Sequence, residues 1–179
     1  MSKRMDRRGF LKALPFLPKA TLEEIKEEKE EIKKELIRPP YCDKNSDFSK
    51  CKECEGSCVL SCEEKILFRD IDGSPYISFN GKGCTFCKKC AESCEFDVLS
   101  LEKEEKIYAE VIINETKCLA WNGTMCFSCR EPCLDNAIKF EGLFKPRIIL
   151  DLCTGCGFCL PVCPSGAIHI KPLTEVNNG

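Results

Sequence analysis

Sixteen of the chain's 17 cysteines stand in four quartets. They are Cys51, Cys54, Cys58 and Cys62; Cys84, Cys87, Cys90 and Cys94; Cys118, Cys126, Cys129 and Cys133; and Cys153, Cys156, Cys159 and Cys163. Cys42 stands apart. Thiolates are soft ligands that suit iron–sulfur clusters and zinc, and in oxidising compartments they pair as disulfides. An odd count leaves one thiol over from a full disulfide framework. Spacing discriminates further. The second and fourth quartets read C-x2-C-x2-C-x3-C, so three ligands fall on one tight loop. Structural zinc draws instead on two separated C-x2-C pairs. Three closely spaced thiolates wrap one 4Fe–4S cube while the loop turns backbone N–H groups toward the sulfurs. The sixteen cysteines therefore read as iron ligands of four 4Fe–4S clusters, with zinc or disulfides as the competing chemistry.

The fourth quartet continues into Pro164, completing the bacterial ferredoxin run. In two-cluster ferredoxins the last cysteine of such a run ligates the other cluster. Two quartets deviate: three residues separate Cys54 from Cys58, and seven, Leu119 to Met125, separate Cys118 from Cys126. A longer loop changes the path between ligands without changing their number. Pairing stays open. Quartet one can exchange with two and three with four, or one with four and two with three.

The elements that must carry these loops repeat with them. Four and five residues after each last cysteine lie Ile66-Leu67, Val98-Leu99, Ala137-Ile138 and Ala167-Ile168. Two residues on come Leu101, Phe140 and Ile170, and Arg69 in the first unit. Apolar pairs at one offset predict side chains packed on a cluster as the chain enters a strand. Asp72-Gly73 within Ile71–Phe79 is a hairpin-turn signal, and Glu102–Ile113 and Lys139–Leu150 read as similar hairpins. The fold class is α+β: tandem ferredoxin-like repeats forming two 2×4Fe–4S modules, with short helices and β-hairpins, preceded by a charged helix.

Composition agrees. The hydrophobic fraction is 43% with cysteine included, and about 60 apolar residues remain without it, thin for a self-sufficient core at this size. Metal–sulfur clusters would fill the middle, and folding would depend on them. A net charge of −2 argues against a nucleic-acid binder, and no stretch approaches the ~18 apolar residues of a membrane span. Four loaded clusters, each adding ionised thiolates, would take the charge to about −10, favouring basic docking surfaces on partners. No nucleophile–base pair, phosphate loop or carboxylate dyad stands out, so the chain reads as a non-enzyme. His169 alternates with Ile168 and Ile170 as a surface side chain, and Trp121 reads as packing around a cluster.

Residues 1–20 hold Arg7-Arg8-Gly9-Phe10-Leu11-Lys12, which is similar to a twin-arginine export motif. The apolar run behind it, Ala13 to Pro18, is short and holds two prolines, whereas a signal h-region needs ~7–15 apolar residues. A cytoplasmic location follows. Residues 21–41 read as a charged helix, Thr21 to Leu36, with Thr21 and Glu24 as a capping box, and then a Pro-rich linker, Arg38-Pro39-Pro40-Tyr41, that marks the domain boundary. Residues 42–172 are the polyferredoxin domain and 173–179 a tail. Cys42 reads as an incidental small residue, not a ligand.

Several of these features occur together in one family. Arg7-Arg8, Arg38-Pro39-Pro40, Gly73-Ser74-Pro75-Tyr76-Ile77-Ser78-Phe79, Cys84-Thr85-Phe86-Cys87, the wide third quartet opening Cys118-Leu119-Ala120-Trp121 and all four quartets resemble the NapF-type ferredoxins, small accessory iron–sulfur proteins of periplasmic nitrate reductase systems. The resemblance implies a cytoplasmic 4Fe–4S protein that binds the nitrate reductase catalytic subunit before its export and assists assembly or activation of that subunit's iron–sulfur centre. The extra residue in the first quartet and the charged helix depart from the family pattern. An electron-transfer ferredoxin of a respiratory chain, with quinol-to-nitrate-reductase transfer as one form, is the alternative.

Overall fold

The computed structural model describes residues 36–43 and 45–173, all within one unit spanning residues 35–179. The Arg7-Arg8 motif, the tail from Thr174 and all of the expected charged helix except Leu36 lie outside the described residues. Regular structure is sparse and short. A 3-10 turn at Phe48–Lys52 precedes α1 (Ser57–Leu60), β1 (Leu67–Arg69), β2 (Pro75–Ile77) and α2 (Lys89–Glu92). Then come β3 (Ala109–Ile113), β4 (Ile138–Glu141), β5 (Phe144–Ile148) and β6 (Ile168–Pro172).

The strands form three antiparallel ribbons, β1–β2, β4–β5 and β3–β6. The first two are hairpins at the expected places, turning through Asp72-Gly73 and Gly142. The third corrects the sequence reading. Glu102–Ile113 is not a hairpin, because β3 pairs with β6 in the register Ala109↔Pro172 to Ile113↔Ile168. β3 is a single strand with no return partner in its own segment, and its alternating face matches the last strand of the chain. The stretch from β3 to β6 thus reads strand, quartet three, hairpin, quartet four, strand, closed by its own two ends. In the preceding stretch the extended segment around Tyr41 takes the place of the outer strand: Ser100 N–H donates to the Tyr41 carbonyl at 2.8 Å.

A second correction concerns the repeating unit. Short helices occur in quartets one and two only, and inside them, α1 carrying Cys58 and α2 carrying Cys90, while quartets three and four close through turns. The apolar pairs behave as expected: Ile66, Leu67, Val98, Leu99, Ala137, Ile138, Ala167 and Ile168 are all buried. Leu101 is not part of that pattern and lies exposed outside any strand. The segment Arg38-Pro39-Pro40-Tyr41, expected to be a linker, is packed into the core, with Pro39, Pro40 and Tyr41 fully buried. Arg38 anchors it: its guanidinium stacks 4.5 Å from the Phe48 ring centroid and donates to Ser74 Oγ and the Pro75 carbonyl at 3.0 Å each. A proline pair is pre-set for extended backbone, so this stretch lies flat against the β1–β2 ribbon at small entropic cost.

Three groups of buried residues make up the core, and cysteines belong to every one of them. Among the described residues, no helix is long and apolar enough to cross a membrane.

Candidate iron–sulfur centres

Each loop ends on the same backbone geometry. At the residue three places beyond the last cysteine of every quartet the chain turns left-handed: φ is 55° at Lys65, 55° at Asp97, 51° at Asn136 and 59° at Gly166. That turn lets the following amides fold back onto the sulfur. Leu99 N–H donates to Cys94 Sγ at 3.4 Å, Ala137 N–H to Cys133 Sγ at 3.3 Å and Ala167 N–H to Cys163 Sγ at 3.2 Å. The buried apolar pair at the same offset keeps water from those bonds. Sequence reasoning found the pairs and missed the left-handed residue. The available signal was Asp, Asn or Gly at that offset in three units of four, the types that tolerate φ > 0.

The quartets as written in the chain are not the quartets in space. Cys51, Cys54 and Cys58 share their cavity with Cys94, and Cys84, Cys87 and Cys90 share theirs with Cys62. In the second half Cys118, Cys126 and Cys129 line a cavity with Cys163. Cys153, Cys156 and Cys159 gather near Cys133, whose charge bears on both Cys153 and Cys156. Each ring, numbered by the quartet that supplies three of its cysteines, takes the fourth from the neighbouring quartet. This sharing runs between quartets one and two and between three and four, the first of the two schemes that linker lengths left open. The widened loops do not prevent convergence. The three residues between Cys54 and Cys58 include Gly56, left-handed at φ 87°, whose N–H donates to Cys54 Sγ at 3.3 Å. The long insert after Cys118 is held by Asn122, whose side-chain amide donates to the Cys118 carbonyl at 2.8 Å, and by Trp121 Nε1–H on the Pro146 carbonyl. Trp121 also lies under Lys145 and Arg147.

None of the 17 cysteines is joined in a disulfide. Among the described residues no three His, Cys, Asp or Glu side chains close on a single-ion site, which a tetrahedral zinc with bonds of ~2.3 Å would need. Four thiols around an enclosed apolar space, with amide donors aimed at sulfur, fit a cube larger than one ion. Burial pushes the thiols of Cys58, Cys84 and Cys129 up to about 11 and those of Cys90 and Cys159 up to about 12, and neighbouring cysteine charges add to the shift. Thiols so raised are protonated at neutral pH, and the iron of a bound cluster would supply the positive charge that favours their ionised form. Cys163 differs. Burial raises it, but donation from Ala167, Ser165 and Ile168 holds it below its ordinary value.

Cys42 belongs to no ring. It is 2% exposed and donates its S–H to the Pro39 carbonyl at 3.0 Å. His169 is exposed on β6. Three residues outside the quartets shape ring one and ring two, and the only signal among them, the Asp72-Gly73 turn, points to the hairpin and not to a ring. Arg69 donates to the Cys51 carbonyl at 2.7 Å. Gly73, at φ 83°, leaves no room for a side chain, since a Cβ there would lie 2.5 Å from that same carbonyl. Tyr41 Oη–H donates to the carbonyl of Phe86, inside the Cys84–Cys90 loop, at 2.9 Å.

Rings of four cysteines on short ferredoxin-type loops define an iron–sulfur protein of the 4Fe–4S class. Residues 146–169 match the 4Fe-4S binding domain family. The chain is 34% identical over 142 residues to ferredoxin-type protein NapF of Escherichia coli strain K12, covering 76% of this chain and 85% of that protein. It is 33% identical over 144 residues to the protein of the same name from Haemophilus influenzae, with 78% and 81% covered. Ferredoxin-type protein NapG of E. coli K12 is 30% identical over 165 residues, covering 77% of this chain and 71% of the relative. The chain belongs to the NapF family of ferredoxin-type proteins.

Proposed function

We propose that the chain is a polyferredoxin of two tandem two-cluster modules, with all sixteen quartet cysteines as iron ligands of four 4Fe–4S clusters. Its role is that of an accessory factor for the catalytic subunit of a periplasmic nitrate reductase, which it binds in the cytoplasm to assist assembly or activation of that subunit's own iron–sulfur centre. The observation that carries the cluster part is the cross-sharing of cysteines, three from one quartet and one from its neighbour, in each half of the chain. The accessory role is supported by family membership and by the sequence resemblance. No catalytic group is assigned, because the chemistry belongs to the clusters and the protein tunes it through burial, N–H···S bonds and charge.

A second reading, electron transfer within a respiratory chain, is favoured by the contact between Cys84 and Cys156, which joins rings of the two halves. Deleting the gene separates the two. The accessory reading expects a catalytic subunit deficient in its own cluster. A catalytic subunit with full cluster content and slow electron delivery overturns it in favour of the second.

A further inference from the structure

The seam between the halves is built from ring loops. Cys84 N–H donates to the carbonyl of Cys156 at 2.7 Å, a direct bond between ligand residues of ring two and ring four. Two aromatic side chains lock it reciprocally. Phe158, inside the ring-four loop, sits so close to Gly83 that a Cβ on Gly83 would lie 2.7 Å from its ring and 2.9 Å from the Cys156 carbonyl. Phe79, just ahead of the ring-two loop, covers Gly157 in the same way. Within each half the rings are also neighbours, because Cys94 of quartet two lines ring one, Cys62 of quartet one lines ring two, and Cys163 of quartet four lines ring three.

We propose that the four rings stand in single file in the order one, two, four, three, joined across the Cys84–Cys156 seam. The two quartets of regular spacing then face each other in the middle, and the two widened quartets, one and three, form the ends. An electron from a one-electron reductant at either end would cross by three one-electron exchanges, each oxidising one centre as it reduces the next, to an iron–sulfur acceptor at the other end. No bond would form or break in any of them. The inference rests on the proposed loading of all four rings.

The test uses the full-length, cluster-loaded chain reduced with dithionite, with iron and sulfide counted on every sample. EPR relaxation reports which centres are close neighbours. The ring-two signal is assigned as the one altered by Cys87→Ser. Its relaxation is expected to change when ring four is altered by Cys156→Ser and to stay unchanged when ring three is altered by Cys126→Ser. Gly83→Leu, which wedges the seam open, is expected to reduce the ring-two to ring-four coupling at unchanged iron content. Gly83→Ala gives the same direction should the larger side chain lower the yield. Any response of ring two to Cys126→Ser, or no response to Cys156→Ser, overturns the order. Fewer than four clusters in the unmodified chain instead overturns the loading on which it rests, so the two failures are distinguishable.

Discussion

Replacing Tyr41 by Phe removes one hydroxyl and nothing else from the ring-two wall. Tyr41 is 2% exposed, and its Oη–H donates to the Phe86 carbonyl at 2.9 Å. Phe86 sits in the loop between Cys84 and Cys87 with φ 52°, and Lys88 follows at 69°. Left-handed backbone costs a residue with a Cβ roughly 1–2 kcal/mol, so this loop is held in shape by bonds made to it from outside. The fourth-quartet loop meets the same requirement with Gly155 and Gly157, at φ 73° and 82°. Losing the Tyr41 bond while its acceptor stays partly buried costs about 1–1.5 kcal/mol, or roughly five- to twelvefold in the equilibrium that keeps the loop closed. Because cluster retention is linked to loop closure, Tyr41→Phe should release iron from ring two about tenfold faster when a chelator is added, while the other rings keep the rate of the unmodified chain. Adding Phe86→Gly, which removes the strain that Tyr41 opposes, should recover part of that loss. Loss at the unmodified rate, or uniform loss from all rings, would refute the role assigned to Tyr41.

Gly73→Ala places a Cβ 2.5 Å from the Cys51 carbonyl at a φ of 83°, so a loss of about 2 kcal/mol or more in stability is expected by denaturant titration, with ring one the first to lose iron. Cys94→Ser should alter the EPR signal of the ring formed by Cys51, Cys54 and Cys58, and Cys62→Ser that of the ring formed by Cys84, Cys87 and Cys90; the opposite assignment would contradict the cross-sharing of ligands. Burial pushes the Cys42 thiol up to about 11 from an ordinary value of 9.0, with Arg38 and Lys103 opposing it and Asp43 adding to it. The folded chain therefore holds that proton after the unfolded chain has lost it, and this contribution to stability is complete below pH 9 and falls by about 2–3 kcal/mol toward pH 11. Comparing unfolding of the unmodified chain with Cys42→Ala across that window checks the sign, and Cys42 should resist alkylation at pH 8 until the chain is unfolded.

The sites were legible in the sequence to the extent that chemistry imposes spacing. A cube needs three thiolates on one tight loop, so the runs beginning at Cys84 and Cys153 announce themselves, and the apolar pair after each last cysteine marks the wall behind the sulfur. The β4–β5 hairpin was legible because its turn is local. β3 was not, because its partner β6 begins 55 residues after β3 ends, and a strand's pattern states its burial but not its neighbour. Ring membership escaped for the same reason: whether Cys62 or Cys94 completes a ring depends on which loops fold together. Arg38-Pro39-Pro40 looked like a linker because proline breaks helices, whereas here the prolines supply a stiff extended segment that Arg38 fastens to Ser74 and Pro75. Tyr41 and Gly83 act through long-range contacts, to Phe86 and Phe158, that leave no local pattern.

Iron and acid-labile sulfide quantified per chain, on full-length protein purified without oxygen, is the measurement that bears most directly on four rings holding four 4Fe–4S clusters. About sixteen of each per chain is the expected result. Zinc without sulfide, or iron and sulfide near eight of each, would contradict it.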